Sequence, residues 1–191
     1  QSGTFRLATA NTNLKDLDAY KGLKIRTMSN KNHMAFWTAI GAEPTPLAFS
    51  ELYFALQSGT VNAEENAADT IVTMNFNEVQ KFLAPTNHVL YTNQLAMNKK
   101  AYESLDPAYQ KALNQAVSED PKEMAPKLGE IDKQNKETLE KKGMTIIKYD
   151  KSFYDQVLAL DSVKALYKDI NSQINGIGDV LMQELDAAAK K

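Results

Sequence analysis

The first half of the chain switches hydrophobic period repeatedly, and this switching limits the fold more than any other feature of the sequence. In GLKIR, Leu23 and Ile25 alternate with Lys24 and Arg26, the period of two expected of a half-buried strand. Ser29-Asn30 then turns the chain, and Met34, Phe36, Trp37 and Ile40 mark a helix over 30–40 closed by Gly41. The pattern repeats. Strands are predicted over 4–9, 23–28 and 60–62, with a further one in MTIIKY and an extended stretch over 87–97. Helices are predicted over 68–75, 152–170 and 178–189, and from Pro107 toward Lys142. Ser50 is a candidate N-cap for a helix whose apolar face is Leu52, Ala55 and Leu56 and which ends at Ser58-Gly59. Pro44 and Pro46 make EPTPLAF an extended connector, and Pro121 and Pro126 are expected to kink or divide the long helix. Strands that alternate with helices place the chain in the α/β class.

Composition narrows the function. The 191 residues are 43% hydrophobic and 24% charged, with 22 basic and 24 acidic side chains for a net charge of −2. That balance, with no Lys/Arg cluster interleaved with aromatics, argues against nucleic-acid binding. There are no cysteines, which removes thiol catalysis and thiolate metal sites. The two histidines, His33 and His88, are far apart in sequence and have no partner at ligand spacing, so a structural role is expected for each and no metal or cofactor. GxSxG, Walker A and GxGxxG patterns are absent, and no enzyme is predicted. No apolar run reaches the ~18 residues of a membrane span.

The basic residues are unevenly chosen. Twenty lysines serve as the general solvating cation, whereas arginine occurs twice, at Arg6 and Arg26, both in predicted strands. A guanidinium holds a carboxylate through two parallel hydrogen bonds, which an ammonium does not match. Two readings stay open for each arginine: a ligand clamp, or a pair with a neighbouring Asp or Glu. Asn66 falls where a strand passes into a helix, either facing a ligand or capping the helix. Phe49 is either a pocket wall or a staple on its own helix. Glu64 and Glu65 are adjacent in an extended segment and point to opposite faces, so joint acid–base work is not expected.

The order of GTFRLAT, YKGLKIRTMSN, IGAEPTPLAFSELYFALQSGTVNAEENA, NEVQKFL and LAMNKKAYESLDPAYQKAL resembles the solute-binding proteins of tripartite ATP-independent periplasmic (TRAP) transporters, the dicarboxylate-binding-protein family. The resemblance runs over nearly the whole chain and is strongest over residues 22–105. It implies that Arg26 clamps a ligand carboxylate, that Arg6 is a second binding cation, that Phe49 lines the pocket and that Asn66 contacts the ligand. Where the family motif reads D-G-Q-E-N-P, this chain has Asn62-Ala63-Glu64-Glu65-Asn66-Ala67, and Glu64 is expected to face solvent.

The resemblance also implies a type II periplasmic-binding-protein architecture of two lobes, of which this chain carries the second lobe and long bridging helices, with the first lobe largely missing. On that basis residues 1–91 form the second-lobe α/β ligand-binding core. Residues 92–131 are a crossover strand and helices belonging to the first lobe. Residues 132–191 are the bridging helix, a strand and C-terminal helices packed on the second lobe. The chain opens almost directly into strand alternation, as though in the middle of a longer protein. The implied function is capture of a small organic acid outside the cytoplasm and its delivery to a membrane permease. The implied location is the periplasm, or the cell surface as a lipoprotein in a Gram-positive bacterium. The alternative is a shortened fragment that binds no ligand and forms a homodimer through its exposed cleft surface.

Overall fold

The computed structural model describes residues 4–92 and 94–189. The segment expected as one strand over 4–9 is two strands, β1 (Thr4–Phe5) and β2 (Leu7–Ala10), parted at Arg6. After a 3-10 turn over Leu17–Tyr20 come β3 (Lys24–Thr27) and helix α1 (Lys31–Ala39). Asn30 caps α1 by accepting from the amides of Asn32 and His33, and Gly41 takes a φ of +95° beyond its end, where a side chain would be strained.

EPTP is not a connector. It forms β4 (Glu43–Pro46), parallel to β3. As β4 ends the sheet order, one of its flanks has no neighbour, which is where proline is tolerated in a strand. Ser50 does not cap the next helix: a 3-10 turn over Phe49–Glu51 leads directly into α2 (Leu52–Gln57), with no side-chain cap.

The strand expected over 60–62 is displaced to β5 (Ala63–Asn66), followed by α3 (Ala68–Thr73). Glu64, Glu65 and Asn66 have low strand propensity, and pairing with β2 along the strand and with β3 at Glu64 holds them extended. β6 (Phe82–Ala84), too short to show a period, went unpredicted. Of residues 87–97, whose Asn93 lies outside the described residues, only β7 (Leu90–Tyr91) is a strand. The helices α4 (Lys99–Glu103) and α5 (Pro107–Met124) follow. Pro121 lies inside α5 without ending it, and the division comes at Pro126, in the 3-10 turn Ala125–Lys127 before α6 (Leu128–Lys141). β8 (Thr145–Ile146) lies in MTIIKY. The helix expected over 152–170 is split at Leu160 into α7 (Lys151–Ala159) and α8 (Asp161–Gln173), and α9 (Ile177–Ala189) closes the chain.

β1 and β7 form a small antiparallel ribbon; the remaining strands make one sheet in the order β4-β3-β5-β2-β6-β8. All run parallel to one another except β2, which is antiparallel to both β5 and β6. On one face Leu14, Tyr20, Ile25 and Trp37 pack with Phe153 and Val163. Tyr149 stacks on Phe153 at 3.6 Å and donates its hydroxyl proton to Leu14 O, tying the C-terminal helices to the loop after β2. On the other face Leu7, Leu52, Leu56, Ile71, Phe76, Leu83 and Leu139 form a second core beneath α2, α3 and α6. The architecture is therefore helix layer, sheet, helix layer. In α4 and α5 no residue is buried.

Candidate functional site

In a mostly parallel sheet the carboxyl ends of the strands share one edge, and the loops leaving them make a crevice suited to ligands. Arg26 lies near the end of β3, Leu47 follows β4, Asn66 ends β5, and Thr86 and His88 follow β6. Because β2 is antiparallel, its amino end reaches the same edge, and Arg6 comes just before it. The topology thus collects Arg6, Arg26 and Asn66 at one rim, with Phe49 in the loop beyond β4.

Arg26 is 3% exposed. Its Nε and Nη2 both donate to the carbonyl of Leu47, at 3.0 and 2.8 Å, and its guanidinium sits 5.6 Å over the Phe49 ring. Among the described residues it makes no salt bridge with a carboxylate. Burial lowers its pKa, while Glu64 and Glu65 act in the opposite direction. Phe49 remains 39% exposed and meets Phe76 edge-on at 6.2 Å, so it is packed on the second core rather than stapled only to its own helix.

Arg6 is used differently. Its Nε pairs with Glu65 Oε2, and its Nη2 donates to Glu65 Oε1, to the Glu65 carbonyl and to Asn66 Oδ1. Of the two readings left open, a neighbouring carboxylate describes Arg6 and does not describe Arg26. Glu65 also accepts from His88 Nε2 at 3.1 Å, with His88 Nδ1 2.8 Å from Thr86 Oγ1. Burial lowers the His88 pKa and so favours the neutral ring; its proton then sits on Nε2, facing the carboxylate. His33 Nδ1 lies 3.8 Å from Glu65 Oε1, beyond hydrogen-bond range. Burial opposes ionisation of Glu65, but His33, His88 and Arg6 together hold its carboxyl well below the usual range. The two histidines, distant in sequence, therefore meet at one carboxylate.

Glu64 corrects the sequence reading: it is fully buried rather than solvent-facing. It points to the opposite face from Glu65, as alternation requires, with Oε1 3.0 Å from Thr9 Oγ1 and Oε2 accepting from Asn66 Nδ2 at 2.6 Å. Burial pushes its pKa up to about 7. Asn66 is not a helix cap, since Ala67 occupies that position and no side chain caps α3. Instead Arg6 and Glu64 hold its carboxamide between a donor and an acceptor, which fixes which end is which. Sequence reasoning missed Thr9 and Gln80, whose Oε1 lies 3.2 Å from Thr9 Oγ1, and it weighed Glu65 and His88 without bringing them together. The one signal was a Glu-Glu-Asn run inside otherwise small and apolar residues.

A groove of about 1010 Å³ between the C-terminal helices, lined by residues including Leu158, Val163, Tyr167 and Met182, contains none of the four expected site residues. Of those four, Arg6, Arg26 and Asn66 are buried at the rim and Phe49 alone is exposed.

Over residues 1–173 the chain matches the family described as bacterial extracellular solute-binding protein, family 7. The chain belongs to that family. A solute-binding protein of Verminephrobacter eiseniae is 36% identical over 169 residues, covering 88% of this chain and 50% of the relative. The sialic acid-binding periplasmic protein SiaP of Vibrio cholerae is 31% identical over 172 residues, covering 88% of this chain and 51% of the relative. A crystal structure of a TRAP periplasmic solute-binding protein from Roseobacter denitrificans, with bound L-galactonate, superposes with a TM-score of 0.82 at 28% identity, covering 94% of this chain and 58% of that one. The family 7 chain described here thus spans about half the length of the curated relatives it matches. These relatives are transport solute-binding proteins rather than enzymes, and the α/β sheet with its long helices is part of the fold they share.

Proposed function

We propose that this chain is the ligand-binding wall of a TRAP-type receptor that captures a small organic acid outside the cytoplasm and delivers it to a membrane permease. The observation that carries the reading is Arg26: a buried guanidinium at the strand rim, bonded among the described residues to the Leu47 carbonyl and seated over the half-exposed ring of Phe49. Nε and Nη2 are committed to Leu47, leaving the other N–H groups to take a carboxylate. Phe49 packs against the carbon skeleton, Asn66 orients polar groups, and Arg6 adds positive potential from within its pair with Glu65. The L-galactonate of the Roseobacter relative and the sialic acid in the name of the Vibrio relative are both carboxylates.

The opposite wall belongs to a first lobe. Residues 1–91 supply the second-lobe core, residues 92–131 cross to the first lobe, and residues 132–191 bridge back and pack on the second. That no residue of α4 or α5 is buried supports that division, because a first lobe would supply the surface these helices cover. Closure of the lobes would remove water from the Arg26–carboxylate pair and strengthen it.

Isothermal titration of the full-length receptor with L-galactonate, succinate and related acids tests the reading. Arg26→Ala is expected to cost about 2–5 kcal/mol of binding, more than ~30-fold in Kd, for any acid that binds. Undiminished binding in that variant would remove Arg26 from the site.

A further inference from the structure

Glu64 lies on β5 between β3 and β2, where its register partners are Arg26 on one side and Thr9 on the other. Partners across adjacent strands project from the same face. The carboxyl therefore has a cation on one flank and a hydroxyl on the other, and it is turned to the hydroxyl. Its two oxygens meet Thr9 Oγ1 and Asn66 Nδ2, while Arg26 is turned the other way, to Leu47 O. The simplest ion pair this sheet offers is left unmade.

Proton bookkeeping explains why. Thr9 Oγ1 also lies 3.2 Å from Gln80 Oε1. Gln80 Nε2 donates to Val79 O at 2.8 Å, so turning that carboxamide over would set two oxygens against each other; Oε1 is the end that faces Thr9. A threonine hydroxyl has one proton. Were Glu64 ionised, Thr9 would face two acceptors with one proton, and a buried oxygen would go unmatched. A proton on Glu64 Oε1 resolves the conflict. Glu64 then donates to Thr9, Thr9 to Gln80 and Gln80 to Val79 O, while Asn66 donates to Glu64 Oε2 and accepts from Arg6. The electrostatic surroundings agree. Burial raises the carboxyl pKa and adjacent Glu65 adds to it, outweighing Asn66, Thr9 and Arg6, which lower it. Arg26 is the other cation on this face; His33 and His88 lie against Glu65 on the opposite one.

We propose that Glu64 is a proton-gated competitor for Arg26: protonated, it stays locked to Thr9 and Asn66 and leaves Arg26 to a ligand carboxylate; ionised, it becomes an internal counter-ion for Arg26 and weakens acid capture. The proposal rests on the reading of Arg26 as the clamp. With Arg6 balanced by Glu65, the rim carries one net positive charge while Glu64 is neutral and none once it ionises. Capture of an acid at neutral pH therefore takes up a proton.

The decisive measurement needs no ligand. In the full-length receptor labelled with carboxyl-13C glutamate, the Glu64 resonance is assigned by its loss in Glu64→Gln and titrated by NMR. A midpoint near the value of about 7 is expected. A midpoint at the ordinary glutamate value of 4.5 overturns the proposal. Arg26→Met should raise the midpoint further by removing a neighbouring cation; an unmoved midpoint would show that the two groups do not sense each other and would also overturn it. Where Arg26→Met does not fold, Arg26→Gln replaces it. With L-galactonate and succinate as probe acids, a midpoint of about 7 gives a roughly tenfold weaker Kd at pH 8 than at pH 6, and Glu64→Gln flattens that profile. Parallel profiles for the wild type and Glu64→Gln overturn the gate. Failure of acids to bind at any pH counts against the clamp, and the NMR midpoint still decides the protonation of Glu64.

Discussion

Arg6 and Arg26 are the same side chain at the same rim of the sheet, and their neighbours give them different tasks. Arg6 neutralises Glu65, a carboxylate whose side chain is fully buried between it and His88. Removing one partner of such a pair strands the other charge in the interior, at a cost on the order of 3–5 kcal/mol. Urea denaturation of Arg6→Met should show a loss of that size, and Arg6→Met/Glu65→Gln should recover most of it. Equal stabilities for the single and double variants would mean that Glu65 does not depend on Arg6. The sequence had marked both arginines as unusual against 20 lysines. It did not tell them apart, because the counter-ion of Arg6 is 59 residues away in the chain and meets it only through the pairing of β2 with β5.

Elements were legible to the degree that their signals were local. The start of α5 at Asp106-Pro107 and the glycine stop at Gly41 each depend on a few neighbouring residues, and each was anticipated; Asn30, read as the first residue of its helix, is instead the cap of α1. β4 and β5 were not, since prolines, glutamates and an asparagine form strands only when flanking strands supply the hydrogen bonds. The split between α7 and α8 at Leu160 has no glycine or proline to announce it. Asp150 caps α7 through the amides of Ser152 and Phe153, and that helix carries Phe153 onto Tyr149 and Tyr20. Asp150→Ala is expected to lower the thermal midpoint, whereas Asp150→Asn should keep most of the cap. An unchanged midpoint in the alanine variant would assign the start of α7 to packing alone.

At the scale of the whole molecule, two neighbouring glutamates give opposite pH responses. The folded state holds Glu65 below the usual carboxylate range, so its contribution is present above pH 4.5 and is lost as pH falls below it. Glu64 has its pKa raised to about 7, so its contribution is complete below 4.5 and is lost as pH rises through 7. His88, lowered from 6.5 by burial, adds a loss on the acid side of that value. Wild type measured against Glu64→Gln cancels the shared groups. The wild type should become progressively less stable relative to the variant between pH 5 and pH 8, and a constant difference would contradict a neutral Glu64. A second expectation concerns α9, which lies beyond the family match at residue 173 and exposes Ile177, Val180, Leu181, Met182 and Leu185. A chain ending at Asn175 should keep its sheet and its urea midpoint and bind less of a hydrophobic dye. A large loss of stability would show that α9 supports the core.

By itself the sequence determined the α/β class and the main helices, because these depend on hydrophobic period and local turn chemistry, and the order of its motifs pointed to the family. Only the tertiary structure decided which arginine is already paired, that Glu64 is buried instead of solvated, and that two histidines converge on Glu65. Charge and protonation depend on what surrounds a group in space, and the antiparallel insertion of β2 into a parallel sheet is what brings those surroundings together.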